Sequence, residues 1–311
     1  MITRSLIRIK VIQILYSYML TRPDKTVKQA LKDLQTSLDK SYELYHYLLK
    51  LPVELTHMQE MRLDEARHKY LPTDEELNPN LKFVNNRVVA ALTANEELKQ
   101  YAADHTVTWM DDPIFMHLML DTVTRSEVYQ DYMADAEDSM AADSNVWQRL
   151  LRHVILRDKN MLEQVELKSV YWTIDDLEIM CQFACKTMRR LAEGHSEPIM
   201  PMFKDEEDSQ FGEQLFLATI DQMEENDAVL DQLLEGGRWD ASRIVLMDRI
   251  IMCTTLTEVR SFDKIPLPVT LNEYIEIAKS YSTAASGQFV NGLVNSAIRV
   301  LREQGKVWKP D

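Results

Sequence analysis

The chain has 311 residues, of which 45% are apolar and only 7 are glycine and 10 proline. This apolar content excludes wholesale disorder, and the scarcity of glycine and proline disfavours folds rich in strands and tight turns. The net charge of −15 argues by itself against a nucleic-acid partner. The charge is uneven, however, because residues 1–32 carry +6, residues 193–235 carry −12 and residues 279–309 carry +4. This asymmetry, rather than the total, bears on the choice of partner.

The cysteines and the N-terminal segment indicate a protein of a reducing compartment. Cys181, Cys185 and Cys253 offer no disulfide framework, which fits the cytoplasm. The N-terminal apolar stretch is interrupted by Arg8 and Lys10, and no small-residue cleavage site follows it. The stretch is also too short and too polar to span a bilayer. We therefore predict a cytoplasmic protein without a membrane segment.

Apolar residues recur at helical spacing along most of the chain, with no alternating stretch of strand length. The first predicted helix, residues 5–19, has an apolar stripe and places Arg4 and Arg8 on a different face. The second covers residues 27–51 and is ended by Pro52. The other predicted helices cover residues 53–70, 80–104, 113–138, 144–167, 173–193, 210–234, 242–258, 270–281 and 286–304. The predicted fold class is all-α.

Prolines indicate where the domains divide. Pro198 and Pro201 precede the acidic run 205–208, which makes this the clearest break in the chain. Thr173 and Asp176 resemble a capping box at the start of the helix before it. We predict four segments: N-terminal helices in 1–51, an acidic helical insertion of unknown role in 52–205, C-terminal helices in 206–305, and a tail in 306–311.

No motif for catalysis or for a bound cofactor occurs in the sequence. There is no Gly-x-Gly pattern, nucleophile elbow, Cys-x-x-Cys or His-Glu-x-x-His. The seven histidines lack a second ligand at metal spacing, and even His68, four residues after Asp64, is better explained as part of a solvated face. Cys181 and Cys185, one helical turn apart, are interpreted as buried small hydrophobes. We predict no enzyme, no catalytic residue, no metal and no cofactor.

The first helix combines cations with aromatic residues. Such a mixture, here with Tyr16 and Tyr18 taken as exposed, suits single-stranded RNA, because cations neutralise phosphates while rings stack on bases. An ordinary amphipathic helix with a charged outer face explains the same residues. From this helix alone, both interpretations stay open.

Three blocks of the last hundred residues resemble the C-terminal half of the NusB family of bacterial transcription antitermination factors. They are DRIIMCTTLTE at 248–258, IPLPVTLNEYIEIAKSY at 265–281 and SGQFVNGLVN at 286–295. The opening segment with Arg4, Arg8, Gln13 and Tyr16 resembles the arginine-rich first helix of that family. The resemblance covers about residues 1–50 and 208–305.

The resemblance implies a NusB-like helical bundle of two packed subdomains, one from each matching region, with the helical insertion added. It implies binding of boxA-type single-stranded RNA together with the ribosomal protein NusE, in the RNA polymerase antitermination complex that acts on ribosomal RNA transcription. By position, the RNA-binding residues would be Arg4, Arg8, Lys10, Gln13, Tyr16, Arg249 and Phe289. The NusE surface would lie around Glu258. We expect Arg4 and Arg8 to be exposed.

The chain also departs from the family pattern. Cys253 and Thr257 stand where relatives often have a basic residue and a tyrosine, and Gln288 stands where a lysine is common. These departures keep an alternative open, namely a helical protein–protein interaction scaffold that has lost RNA binding. An RNA methyltransferase with a NusB-like domain is disfavoured because no glycine-rich cofactor-binding domain follows the helices.

The predicted insertion gives little indication of its role. Residues 111–143 carry a net charge of −8 and should not bind RNA. Residues 83–92 echo residues 289–298, which leaves open whether the insertion is a duplicated domain. A homodimer is compatible with the sequence.

Overall fold

A computed structural model describes residues 2–235, 244–283 and 286–309 of the chain. Within these residues there are α-helices and no strand, which confirms the predicted all-α class. The helices are α1 (Arg4–Thr21), α2 (Val27–Arg67), α3 (Asp74–Leu77), α4 (Arg87–Ala94), α5 (Glu96–His105), α6 (Pro113–Arg125), α7 (Glu127–Ala134), α8 (Met140–Arg149), α9 (Lys159–Lys168), α10 (Ile174–Ala192), α11 (Glu206–Glu235), α12 (Leu246–Ser261), α13 (Leu267–Tyr281) and α14 (Ser286–Glu303). A π-helical turn, Leu150–Val154, and a 3-10 turn, Ile155–Arg157, connect α8 to α9.

The chain forms two compact units. The inserted unit is Asp39–Met202, and the terminal unit consists of Ile2–Leu38 with Phe203–Asp311. The terminal unit therefore joins the two ends of the chain, with one border inside α2. The segment borders predicted at 51/52 and 205/206 from proline and charge remain sequence predictions.

The prediction that Pro52 ends the second helix is wrong, because α2 continues through it to Arg67. Proline removes one helical hydrogen bond and costs about 3 kcal/mol inside a helix. Leu51 and Leu55 on either side are fully buried. Burying a leucine side chain contributes about 1.5–3 kcal/mol, so the packing of this face offsets the cost of the proline.

Other predicted helices are divided by side-chain caps. Residues 80–104 form two helices because Asn95 ends α4 and its side chain accepts a hydrogen bond from the Leu98 amide at the start of α5. Ser126 separates α6 from α7 in the same way. The capping box of Thr173 with Asp176 is present at the start of α10, as predicted.

The cap at Asn95 gives a testable expectation. Asn95→Ala should destabilise the α4–α5 corner by about 1 kcal/mol, because the orphan amides at the start of α5 lose their acceptor. Hydrogen exchange of peptides from α5 measures the change. Lys99→Ala, an exposed change on the same helix, is the matched control and should leave the exchange nearly unaltered. Equal effects of the two variants would contradict the capping role.

In the inserted unit, polar contacts join α2 to α10 and to the segments flanking it. Tyr45 Oη lies 2.7 Å from Thr187 Oγ1, and the Ser41 hydroxyl donates to Asp176 Oδ1 at 2.5 Å. The Trp172 indole donates to the Lys40 carbonyl at 2.6 Å. The unit's apolar interior includes the fully buried Trp109, Phe83 and Trp147.

In the terminal unit, α12 is the central helix and contacts α1, α11, α13 and α14. Thr254, Thr255 and Thr257 are buried on it, and each hydroxyl donates to the carbonyl four residues earlier. The helix thereby satisfies its own hydroxyl groups and can be surrounded by neighbours. A close approach of α1 to α11 is made at Gly212, where an added Cβ would lie 3.0 Å from Ile7 Cγ2.

The expectation that Arg8 and Tyr18 lie on an exposed face of α1 is wrong, because both are buried, as are Ile7, Lys10 and Val11. Half-buried positions form one narrow stripe along the helix: Ser5, Ile9, Gln13 and Tyr16. The helix is therefore largely an interior element of the terminal unit. The cause lies in its neighbours, since α11 and α12 both pack against it.

Candidate RNA interface

A buried polar cluster joins α1 to α12 and α13 through one carboxylate. Arg8 donates two hydrogen bonds to Glu258, from Nε to Oε2 and from Nη2 to Oε1, both at 2.8 Å. Thr270 Oγ1 donates to Oε1 at 2.8 Å, and Tyr274 Oη donates to Oε2 at 3.0 Å. Four hydrogen bonds thus converge on a side chain that is fully buried. The cluster is a structural joint between three helices.

The ionisation of the cluster follows from its burial. Burial alone would lower the pKa of Arg8, but the hydrogen bonds and the charge of Glu258 outweigh it, and the pKa is raised. Burial and the Glu258 charge raise the pKa of the Tyr274 phenol well above its ordinary value. Arg8 therefore stays charged and Tyr274 stays a neutral donor over the physiological range.

This geometry overturns two expectations about α1. Arg8, expected to be exposed, is only 2% exposed because it neutralises Glu258 in the interior. Lys10 is fully buried, so neither side chain reaches the surface. Tyr18, taken as an exposed aromatic, is 5% exposed and meets Phe216 edge to face at 6.2 Å.

Glu258 was expected on a surface that binds a partner protein, but the structure places it in the interior. Its carboxylate is enclosed by α1 and α13, so it cannot itself touch another protein in this conformation. The backbone carbonyl of the same residue accepts a hydrogen bond from Lys309 Nζ at 3.2 Å. A NusE surface around this helix would have to use neighbouring exposed residues.

The acidic helix α11 neutralises several basic residues of the terminal unit. It carries ten acids and no lysine or arginine. Arg4 Nε lies 2.6 Å from Asp208 Oδ1, and the guanidinium lies over the Phe211 ring at 5.2 Å. Arg249 pairs with Asp227 at 3.0 Å and with Asp231 at 2.9 Å. The predicted RNA contacts Arg4 and Arg249 are therefore ion-paired to α11.

The ion pairs also affect the titration of Arg249. The hydrogen bond to Asp231 and the charge of Asp227 outweigh partial burial and raise its pKa. To contact a phosphate, Arg249 must break its ion pairs with Asp227 and Asp231 or bind the phosphate and the carboxylates at the same time. Arg260 and Lys306, both paired with Glu225, are constrained by α11 in the same way.

The remaining predicted residues lie toward the other end of α1. Gln13 donates to the Tyr281 hydroxyl at 3.4 Å, which places it at the C-terminal end of α13. Tyr16, one turn further along α1, is half-buried. Since a helix rises 1.5 Å per residue, Arg4 and Tyr16 are about 18 Å apart along α1. Because Arg8 and Lys10 are buried, the predicted RNA residues do not all lie on one exposed basic face.

Phe289 lies near this end of the unit, in the first turns of α14, and is half-buried. Ser286 begins α14 and donates to Asp248 Oδ2, beside Arg249, at 2.9 Å. The exposed Lys279 lies across the start of α14, because a Cβ on Gly287 would come within 2.8 Å of its Cγ. This set, which we call the terminal patch, comprises Gln13, Tyr16, Lys279, Tyr281 and Phe289.

Sequence reasoning missed Lys279 and Tyr281 as members of this patch. The Tyr281 hydroxyl meets Gln13, and its ring is half-buried. The acidic partners of Arg249 could have been found, because Asp227 and Asp231 are four residues apart on one helix face. The contact between Arg8 and Glu258 could not, since 250 residues separate them.

The described residues offer neither a metal site nor a membrane span. Within residues 2–235, 244–283 and 286–309, no three His, Cys, Asp or Glu side chains are grouped so that they could hold a metal ion. Over the same residues, no helix combines the length and apolar character needed to cross a membrane.

In its described residues the terminal unit is all-helical, with one buried ion pair, Arg8 with Glu258, at its centre and the terminal patch at one end. The chain belongs to the NusB family, whose family model matches residues 186–299. The transcription antitermination protein NusB of Salinibacter ruber is 36% identical over 115 residues, which cover 37% of this chain and 71% of the relative. No solved structure was found to match.

Two further relatives carry the same name. The transcription antitermination protein NusB of Bacillus mycoides is 37% identical over 91 residues, which cover 29% of this chain and 68% of the relative. That of Symbiobacterium thermophilum is 33% identical over 98 residues, which cover 32% of this chain and 63% of the relative. Arg249, Glu258 and Phe289 lie inside the range matched by the family, whereas the α1 residues lie outside it.

Proposed function

We propose that this chain is a non-enzymatic transcription antitermination factor that binds boxA-type single-stranded RNA together with the ribosomal protein NusE. The observation that carries the proposal is the family match over residues 186–299, with relatives named transcription antitermination protein NusB at 33–37% identity. The terminal patch supports it, because it offers an ammonium group beside amide and aromatic side chains, the chemistry that single-stranded RNA requires.

The structure changes which residues the proposal relies on. Arg8 and Lys10 hold the interior together and drop out of the RNA set. Gln13, Tyr16 and Phe289 remain candidates. Lys279, whose ammonium pairs with the exposed Glu276 at 2.6 Å, would supply the phosphate-binding charge by giving up that surface pair. Arg4 and Arg249 remain as candidates that must exchange a carboxylate partner for a phosphate.

Fluorescence anisotropy with a labelled boxA-type oligoribonucleotide tests the function. We expect the full chain with NusE to bind this RNA more tightly than a scrambled sequence, with affinity falling as salt rises. Binding that is absent with and without NusE would contradict the proposal.

Phe289→Ala should weaken binding of this RNA about tenfold, because stacking of one base on an aromatic ring contributes about 1–3 kcal/mol. The same anisotropy titration measures the loss. Val300→Ala, also half-buried but in the last turns of α14, is the matched control. If both variants bind like the wild type, Phe289 is not a stacking platform and the RNA site lies elsewhere.

One observation favours the alternative, a protein–protein interaction scaffold without RNA affinity. Arg4 and Arg249, which the family resemblance assigns to RNA, are bound by acids of α11. If the chain is such a scaffold, NusE would bind to it in a pull-down. BoxA-type RNA would neither bind to the chain nor strengthen its complex with NusE.

A further inference from the structure

The inserted unit contains a cavity of about 900 Å³ between the turn 150–157 and helix α10. Five cations lie in its walls: Arg152, Arg157, Lys186, Arg189 and Arg190. The acids of the lining are Glu178 and Glu193, so the cavity carries +3 in a chain whose total charge is −15. A local cluster of positive charge in a chain of negative net charge is typical of a site that binds a polyanion.

An irregular turn and one face of a regular helix build this cavity. The π-helical turn Leu150–Val154 interrupts the run from α8 and presents Arg152 and His153 to solvent. Such π-helical turns are frequent at functional sites. The facing wall is one side of α10, where the lining residues recur every three or four positions: Glu178, Gln182, Lys186, Arg189 and Glu193.

The cations of this cavity differ from those of the terminal unit in their partners. Among the described residues, none of the five forms an ion pair. Arg189 Nη2 donates only to Gln148 Oε1 at 3.4 Å, and Arg190 Nη2 donates to the Glu197 carbonyl at 2.6 Å. Arg190 Nε is buried without a hydrogen-bond partner. The guanidinium and ammonium groups thus keep donors for a ligand.

An aromatic side chain completes the lining. Phe183 is half-buried among the cations. A hydrogen bond from Cys181, a residue of the lining, lowers the pKa of the buried Cys185, and the charges of Arg152 and Arg189 act in the same direction.

We propose that this cavity binds the phosphate backbone of single-stranded RNA, with Phe183 stacking on a base. The ring argues for RNA over an acidic peptide, because cations interleaved with an aromatic platform match a chain of alternating phosphates and bases. The site is separate from the terminal patch and does not depend on the function proposed there. It gives the inserted unit a role in holding RNA of any sequence.

The test compares two variants of the full chain with equal loss of charge. The cavity variant carries Arg152→Gln, Lys186→Gln and Arg189→Gln. The control variant carries Lys69→Gln, Lys99→Gln and Arg125→Gln, which lie in the same unit outside the cavity. All six side chains are exposed, so both proteins should fold, and circular dichroism checks this.

Affinity for an unstructured oligoribonucleotide without a boxA sequence is measured across a salt series. We expect the slope of log affinity against log salt to become shallower by about 2 in the cavity variant, since three phosphate contacts are lost. The control variant should keep the wild-type slope. In addition, ultraviolet crosslinking of the wild type should attach RNA to the α10 peptide that contains Phe183.

Three outcomes would overturn the proposal. The first is a wild-type protein that does not bind this RNA. The second is the same change of slope in both variants, which would reflect total charge rather than the cavity. The third is displacement of RNA by a polyglutamate peptide without any crosslink in α10, which would assign the cavity to an acidic protein segment. Loss of boxA binding alone, with this RNA still bound, would instead contradict only the function proposed for the terminal patch.

Discussion

Glu258→Ala should lower the free energy of opening of the terminal unit by about 3–5 kcal/mol, the loss typical of removing one member of a buried ion pair. The variant leaves the Arg8 guanidinium without its carboxylate in the interior. It also removes the acceptor of the Thr270 and Tyr274 hydroxyls. Hydrogen exchange of peptides from α12 and α13 measures the change without requiring the two units to unfold together.

Two further variants separate this effect from the mere loss of a charge. Glu276→Ala removes an exposed acid that pairs with Lys279, and it should change stability by less than about 0.5 kcal/mol. Arg8→Met combined with Glu258→Leu removes both charges together and should cost less than Glu258→Ala alone. A loss below about 1 kcal/mol for Glu258→Ala would show that the four hydrogen bonds contribute little.

The inserted unit should lose about 2 kcal/mol of stability to protonation of His46 as the pH falls from 7.5 to 5. His46 is 1% exposed, and burial lowers its pKa to about 4. The unfolded chain takes up the proton near pH 6.5, whereas the folded chain resists it until about pH 4. The contribution is therefore present above pH 6.5 and is lost as the pH falls toward 4.

The surroundings of the ring explain why it is kept neutral. Burial lowers its pKa, and the ring stacks on Tyr101 at 3.5 Å between centroids in these buried surroundings. This burial outweighs the Tyr42 carbonyl, 3.0 Å from Nδ1, which favours the protonated ring. His46→Phe should reduce the slope of stability against pH over this window, as followed by urea unfolding at several pH values. Met61→Phe, at an exposed residue without a titratable group on the same helix, should leave the slope unchanged. An unchanged slope in His46→Phe would mean that the ring titrates in the native state.

The fold class could be predicted from the sequence, because scarce glycine and proline and a helical apolar period are local properties. The same is true of the capping box at Thr173. The continuation of α2 through Pro52 could not be predicted, since it depends on the burial of its leucines by distant segments. A local rule for proline fails where tertiary packing supplies the larger free energy.

A residue of the candidate site could be placed correctly from the sequence only where its position does not depend on a partner distant in the chain. The sequence shows that Arg8 is charged, but its partner Glu258 is brought to it by the fold. Likewise, the five cations of the cavity are spread over residues 152–190, a span whose net charge is only +1 because six acids lie within it. Folding places Arg152 and Lys186 on facing walls and thereby concentrates a charge that the linear sequence dilutes.

The pairing of Arg249 with two aspartates of α11 has a consequence for the evolution of the family. Asp227 and Asp231 each lie about 3 Å from one guanidinium, at 3.0 and 2.9 Å. Their positions are therefore free to change only together with position 249. Homologues that replace Arg249 with a neutral residue should also replace one or both acids, so the three positions are expected to covary among long members of the family.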